Sequence, residues 1–150
     1  MPEAIFTPAT KAQSGHDINV SFEDATQLVP AGYLRQLREL TLTVYNEAAA
    51  YAAERGILIA DTKFESVDSS MAKLRWPTKC LTRDSSRFWP KAQWRPGGPQ
   101  PSYDKQYVRD YLETLDWDKT DPAPPLPDAV ANKTSEKYMQ AYRLLTGVAL

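Results

Sequence analysis

The stretch from Pro30 to Phe64 constrains the fold more than any other part of the chain. Apolar residues recur at roughly helical spacing up to Gly56, and an aliphatic run follows at once. This pattern predicts an amphipathic helix from about Pro30 to Arg55 that ends at the glycine. The run ILIADTKF (57–64) is first apolar and then alternating, which predicts a strand.

The remaining sequence adds helices and loops but few strands. Two further amphipathic helices are predicted: Tyr103–Leu115, opened by Ser102 or Asp104, and Asp128–Leu145, followed by the stop signal Gly147. Extended or loop structure is predicted at 1–22, 90–101 and 121–127, while 66–80 has no clear period. Helices and strands in mixed order, with few strands, indicate an α+β fold.

Bulk properties exclude several classes of protein. The chain has 150 residues, enough for one domain with a core, and its formal net charge of −1 predicts no general attraction to nucleic acid or membranes. The single Cys80 excludes an internal disulfide and is typical of a reducing compartment. No apolar run approaches the roughly 20 residues that span a bilayer, and MPEAIFTP lacks the pattern of a signal peptide. We therefore expect a cytoplasmic protein.

Asp61, Lys63 and Glu65 form the first candidate site. Residues two apart on a strand share a face, so all three are expected to point the same way. Two carboxylates flanking an ammonium group can hold a divalent cation together with a phosphate or carboxylate. The alternative is a polar, solvated strand face.

The sequence DSSR (84–87) is the second candidate site. Arginine binds phosphate through two hydrogen bonds at once, and the hydroxyl groups of Ser85 and Ser86 add donors beside Arg87. The same sequence could equally be the N-terminal cap of a helix.

Lys105 and Arg109 are four residues apart on a predicted helix and therefore share a face. They can bind an anion together, or they can be ordinary surface charges paired with Asp104 or Glu113. His16 and Asp17 follow Gly15 in a predicted loop, where a lone histidine is more often a structural hydrogen-bonding group than a ligand or base.

These motifs together resemble the phosphoribosylaminoimidazole-succinocarboxamide (SAICAR) synthetase family, from Met1 to about Gly147. The similar segments are Leu58–Glu65, LTRDSSRFW (81–89), QPSYDKQ (100–106) and the loop at Gly15–Asp17. Positions 18, 66–67 and 83 depart from the family pattern. The resemblance covers only the later half of a family member, so the N-terminal nucleotide-binding lobe is expected to be absent or to be supplied as a separate chain.

The resemblance implies a function and a set of site residues. Family members use ATP and Mg²⁺ to join aspartate to carboxyaminoimidazole ribonucleotide, so these small molecules are the expected partners. Lys63 and Glu65 are implied as catalytic residues, with Glu65 also the magnesium ligand. The implied substrate-binding residues are Asp17, Ser85, Ser86, Arg87, Lys105 and Arg109.

A second reading concerns residues 73–95, where basic side chains alternate with Trp76, Phe88, Trp89 and Trp94. Basic residues interleaved with stacking aromatics are typical of a groove for single-stranded nucleic acid. Because the resemblance already accounts for the part from residue 84 onward, we predict no nucleic-acid partner.

Residues 66–80 form an anomalous segment. The family pattern continues with Phe-Gly where this chain has Ser66-Val67, and with Asp-Glu-Val where it has residues 78–80. The Asp is a magnesium ligand in the family, and the neutral Thr78 cannot replace its charge. Codons for this segment, read one frame over, can restore Phe-Gly and Asp-Glu-Val. We hypothesise that 66–80 is family sequence read out of frame, in a decayed gene or through a sequencing error.

Overall fold

A computed structural model of the chain describes residues 3–10, 17–64, 67–68, 74–75, 81–82 and 85–148. The chain divides into two compact units, Met1–Glu47 and Ala48–Leu150, which are described separately. Helices and short antiparallel strands occur in mixed order, as predicted for an α+β fold. Among the described residues, no helix is long and apolar enough to cross a membrane.

The first unit begins with strands β1 (Ala9–Thr10) and β2 (Ile18–Asn19), which pair antiparallel. Helix α1 (Phe22–Leu28) follows, and helix α2 (Ala31–Glu54) starts in this unit. The Ser21 hydroxyl caps α1 by accepting the Asp24 N–H at 3.0 Å. The sequence prediction of an arm over 1–22 is consistent with β1 and β2, but it missed α1, whose seven residues are too few for a clear period.

Aromatic contacts anchor α1 within the first unit. The rings of Phe6 and Phe22 meet edge to face with their centroids 6.5 Å apart. The guanidinium carbon of Arg38 lies 5.7 Å from the centroid of the Phe22 ring. Phe22 is thus held between the N-terminal arm and α2.

The second unit contains the end of α2 and most of the strands. Its elements are β3 (Ile57–Thr62), β4 (Val67–Asp68), β5 (Leu74–Arg75), β6 (Ser86–Pro90), α3 (Gln106–Leu112) and α4 (Asp128–Thr146). Strand β3 pairs antiparallel with β6, and β4 pairs antiparallel with β5. Buried side chains of β3 and β6, including Ile57, Ile59 and Phe88, form the core with Ala52 and Ala141.

Several boundaries differ from the sequence prediction. Strand β3 ends at Thr62 rather than Phe64, and α3 is shorter than Tyr103–Leu115 because residues after Leu112 form tight turns. Residues 66–80, which show no strand period, nevertheless carry the two-residue strands β4 and β5. Helix α4 ends as predicted, at Gly147, whose φ of 73° suits glycine.

The described part of DSSR, residues 85–87, does not cap a helix. Ser86 begins strand β6, and Ser85 is a turn residue just before it. The pairing partner of β6 is 24 or more residues away in sequence, so the local pattern of hydroxyls and arginine gave no sign of a strand.

Candidate functional site

An irregularity in β3 sets the geometry of the site. Ile59 pairs with Phe88, but Asp61, not Ala60, pairs with Arg87, so one extra residue is accommodated at Ala60. In a regular strand Asp61 would share the buried face of Ile57 and Ile59. The bulge instead leaves Asp61 exposed beside Arg87.

Asp61 and Arg87 form a two-pronged ion pair across the strands. The Arg87 Nε–H donates to Asp61 Oδ1 at 2.8 Å, and Nη2 donates to Oδ2 at 2.7 Å. Both side chains are about half exposed, at 48% for Arg87 and 52% for Asp61. The sequence offered Asp61 either as a carboxylate for a divalent cation or as a solvated side chain; in the structure its two oxygens accept hydrogen bonds from Arg87.

The charges around Arg87 favour its protonated form. The hydrogen bond to Asp61 raises the pKa of Arg87, partial burial opposes this, and the negative charges of Asp61 and Asp104 raise it further. Arg87 is therefore a permanent cation that interacts electrostatically with two carboxylates, those of Asp61 and Asp104.

The two serines of DSSR serve mainly to fix the backbone. Ser86 is buried and its hydroxyl pairs with that of Thr62 at 2.8 Å, which secures the end of the β3–β6 ladder. The Ser85 hydroxyl closes a turn by accepting the Thr82 N–H at 3.1 Å. Ser85 also accepts the Lys63 N–H through its carbonyl at 2.8 Å. Direct substrate binding by either hydroxyl stays a prediction.

Asp104 is fully buried and joins two segments that carry candidate site residues. Its Oδ2 accepts the backbone N–H of Phe88 at 3.0 Å, and its Oδ1 accepts that of Gln106 at 2.8 Å. The Tyr103 N–H also donates to the Phe88 carbonyl, at 2.8 Å. Strand β6 and the start of α3 are thereby fixed to each other next to Arg87.

Lys105 and Arg109 lie one helical turn apart, as predicted. Lys105 occupies the N-cap position of α3, and its carbonyl accepts the Arg109 N–H at 3.1 Å. Lys105 is half-buried and Arg109 is exposed. Of their two proposed surface partners, Asp104 accepts backbone amides and Glu113 pairs with Lys119 at 2.8 Å.

Helix α4 supports this segment from the side. The Lys137 ammonium donates to the Ser102 carbonyl at 2.9 Å and lies 5.2 Å from the centroid of the Tyr107 ring. Tyr103 is buried, and burial raises its pKa above the ordinary value of 10.0. The loop that leads to Lys105 is thus held by β6 on one side and by α4 on the other.

The other predicted site residues have different placements. Lys63 is exposed and directly follows β3, whereas Asp17 is half-buried and belongs to the first unit. Glu65, Thr78 and most of the anomalous segment lie outside the described residues. The β3–β6 ladder and Asp104 therefore bring together Lys63, Ser85, Ser86, Arg87 and Lys105, with Arg109 one turn further along α3.

No group of three or more acidic, histidine or cysteine side chains suited to a metal occurs within the ranges that the structure describes. Asp61 is committed to Arg87, and Asp104 to two backbone amides. The predicted ligand Glu65 is not among the described residues, so the magnesium site stays a prediction.

Two roles are not evident from the sequence. The pairing of Asp61 with Arg87 depends on the register of β3 against β6. Asp104 was predicted at a helix start or in a surface pair; its bond to the Gln106 N–H agrees with a helix start, but the residue is also a buried link to Phe88. The only local hint was its position between Tyr103 and Lys105 in a proline-punctuated segment, which is weak evidence for burial.

Comparisons with known proteins identify the family of this chain. Residues 1–124 match the family model described as SAICAR synthetase. The chain is 54% identical over 148 residues to phosphoribosylaminoimidazole-succinocarboxamide synthase of Geotalea uraniireducens, covering 98% of this chain and 50% of the relative. It is 52% identical over 150 residues to the enzyme of the same name from Citrifermentans bemidjiense, again covering 98% of this chain and 50% of the relative.

A solved structure has the same fold. SAICAR synthase from Saccharomyces cerevisiae, in complex with SAICAR, superposes with a TM-score of 0.86 at 39% sequence identity, covering 99% of this chain and 48% of that one. The chain thus spans about half the length of the curated relatives and of the solved structure that it matches. On the extent of these matches, the chain belongs to the SAICAR synthetase family of purine biosynthesis.

Proposed function

We propose that the chain is the substrate-binding, C-terminal half of a cytoplasmic ligase that uses ATP to join aspartate to carboxyaminoimidazole ribonucleotide. The observation that carries the proposal is the joining of three cation-bearing segments. Strand β6 with Arg87 is bonded to the Lys63 backbone through Ser85 and to the Lys105 segment through Asp104. The yeast structure, which aligns over 99% of the length of this chain, was solved with SAICAR bound.

The positive side chains of these segments suit an anionic ribonucleotide. Arg87, Lys105 and Arg109 bind its phosphate or carboxylate, because arginine and lysine form strong, charge-assisted hydrogen bonds to these groups. Lys63 contacts the same substrate, and Ser85 and Ser86 complete the part of its binding site that lies in the second unit. A substrate-binding role of Asp17, in the first unit, stays a prediction from the resemblance.

The reaction has two steps. A carboxylate oxygen of the ribonucleotide attacks the γ-phosphorus of ATP, giving an acyl phosphate and ADP. The aspartate amine then attacks the acyl carbon, phosphate departs, and the amide nitrogen loses a proton. Glu65 would be the ligand from this chain to Mg²⁺, and the ion would supply charge neutralisation on the phosphates. The residues of this chain orient the ribonucleotide and hold its charge.

Calorimetric titration with carboxyaminoimidazole ribonucleotide tests the proposal. The 150-residue chain should bind it. An Arg87→Ala, Arg109→Ala double variant should bind at least about a hundredfold more weakly, since each lost bond to a charged group removes about 1.5–3 kcal/mol. Raising the salt concentration should weaken binding of the parent chain.

A Lys119→Ala, Lys133→Ala double variant is the matched control. It removes two positive charges that are paired with Glu113 and Glu136, outside the proposed site. Its affinity should stay close to that of the parent. Equal weakening in both double variants would mean that net charge governs binding, and the proposed site would be wrong.

The alternative function is a non-catalytic remnant, or a binding subunit that acts with a separate N-terminal lobe. The chain spans about half the length of the relatives that it matches. On this alternative, the 150 residues alone bind the ribonucleotide but give no product with ATP and aspartate. Turnover on the order of the 1–10³ s⁻¹ of ordinary enzymes would exclude this alternative.

A further inference from the structure

We propose that Asp61 is a positioning residue: it orients the guanidinium of Arg87 so that the Nη1 edge faces the substrate anion. This inference rests on the proposed function, in which Arg87 binds the ribonucleotide. Asp61 itself has no contact with the substrate in this account and acts through Arg87.

The donor inventory of Arg87 supports the inference. A guanidinium has five N–H donors in a fixed plane. Asp61 accepts from Nε and from one N–H of Nη2, at 2.8 and 2.7 Å. The remaining Nη2 N–H and the two on Nη1 have no acceptor within the ranges that the structure describes. The adjacent N–H groups of Nη1 and Nη2 form a second fork, which fits a carboxylate or phosphate.

Stability gives no sufficient reason for the Asp61–Arg87 pair. Both side chains are about half exposed, and exposed ion pairs contribute little to folding. The strands are already joined by the β3–β6 ladder and by the bond between the Thr62 and Ser86 hydroxyls. The bulge at Ala60 nevertheless brings Asp61 opposite Arg87, which indicates a use for the pair other than stability.

Electrostatics makes the placement informative. A carboxylate beside an anion-binding arginine repels the anion, so charge alone predicts that Asp61 weakens binding. An orienting role predicts the opposite, because a fixed fork loses less side-chain entropy when the anion binds. The two accounts therefore predict opposite changes in anion affinity when Asp61 is neutralised.

The experiment is calorimetric titration of carboxyaminoimidazole ribonucleotide into the full chain and an Asp61→Asn variant. Asparagine keeps the size of the side chain but offers one acceptor oxygen and no charge. We expect binding about tenfold weaker, comparable to the loss of one charge-assisted bond, with an almost unchanged melting temperature. Binding that is unchanged or tighter in the variant overturns the inference.

Two further variants test whether the effect passes through Arg87. Glu136→Gln removes the same charge from a pair with Lys133 on α4 and should leave affinity unchanged. Arg87→Lys keeps the positive charge but cannot form the fork, so adding Asp61→Asn to it should cause no further loss. If Asp61→Asn weakens binding equally in the parent chain and in Arg87→Lys, the inference is overturned, even if Asp61→Asn alone lowers the melting temperature.

The outcomes separate the inference from the proposed function. A folded parent chain that fails to bind the ribonucleotide overturns both. A parent that binds, and that is weakened by Arg87→Ala but not by Asp61→Asn, overturns only the positioning role of Asp61.

Discussion

Replacing Asp104 by asparagine should destabilise the second unit far more than its small chemical change suggests. Asp104 has no exposed surface, and its two oxygens accept separate backbone N–H groups, from Phe88 at 3.0 Å and from Gln106 at 2.8 Å. Asparagine has one acceptor oxygen, so its NH₂ group must face a backbone N–H. One buried donor is then left without a partner.

The magnitude follows from these two bonds. An unsatisfied buried donor costs about 1–3 kcal/mol, and the surviving bond changes from charge-assisted to neutral, which removes roughly another 1 kcal/mol. The neutral side chain is easier to bury, which offsets part of the loss. We expect a net destabilisation of about 1–3 kcal/mol.

Urea unfolding followed by tryptophan fluorescence measures this loss. With a slope of about 2 kcal/mol per molar urea, the midpoint should fall by about 0.5–1.5 M. Asp118→Asn is the matched control, because Asp118 Oδ1 accepts the Thr120 N–H at 3.0 Å and the Thr120 hydroxyl at 2.7 Å in an exposed turn. That midpoint should hardly move. If Asp104→Asn unfolds at the parent's midpoint, Asp104 is not the buried link described above.

Two other predictions concern Tyr103 and the anomalous segment. Burial raises the Tyr103 pKa above 10.0, so the folded state keeps the Tyr103 proton to a higher pH than the unfolded state does. The contribution of Tyr103 to stability is therefore lost as the pH rises above its pKa in the unfolded state. Urea midpoints at about pH 9 and pH 11 should therefore diverge more for the parent than for Tyr103→Phe; an equal divergence would contradict the burial effect. Restoring Phe-Gly at 66–67 and Asp-Glu-Val at 78–80 should raise the melting temperature further with magnesium than without, because two carboxylates hold Mg²⁺ better than one. If neither the ion nor the restoration raises it, residues 66–80 are a native insertion rather than out-of-frame sequence.

Local patterns in the sequence were sufficient for the long elements. The helical period before Gly56 and the aliphatic run after it predicted α2 and β3, and Gly147 marked the end of α4. These features depend on neighbouring residues, which is why periodicity detects them. Helix α1 was missed because its seven residues leave little period to detect.

The candidate site depends on contacts between distant residues, and there the sequence was less informative. The resemblance brought forward Arg87 and Lys105, but not the partners that place them. Asp61 meets Arg87 across 26 residues, and Asp104 meets Phe88 across 16. Pairing at such separations is set by strand register and burial, neither of which leaves a local pattern.

The bulge at Ala60 has a consequence for how this strand can vary among relatives. Between Ile59 and Asp61 the register against β6 shifts by one residue. After this shift Asp61 pairs with Arg87, and Thr62 pairs with Ser86. Deleting Ala60 would remove the bulge but keep the cross-strand partners, because Asp61 would then follow Ile59 directly and still lie opposite Arg87. Strand β3 can therefore lose this one residue without exchanging its inward and outward positions, whereas a one-residue deletion in its regular part would exchange them.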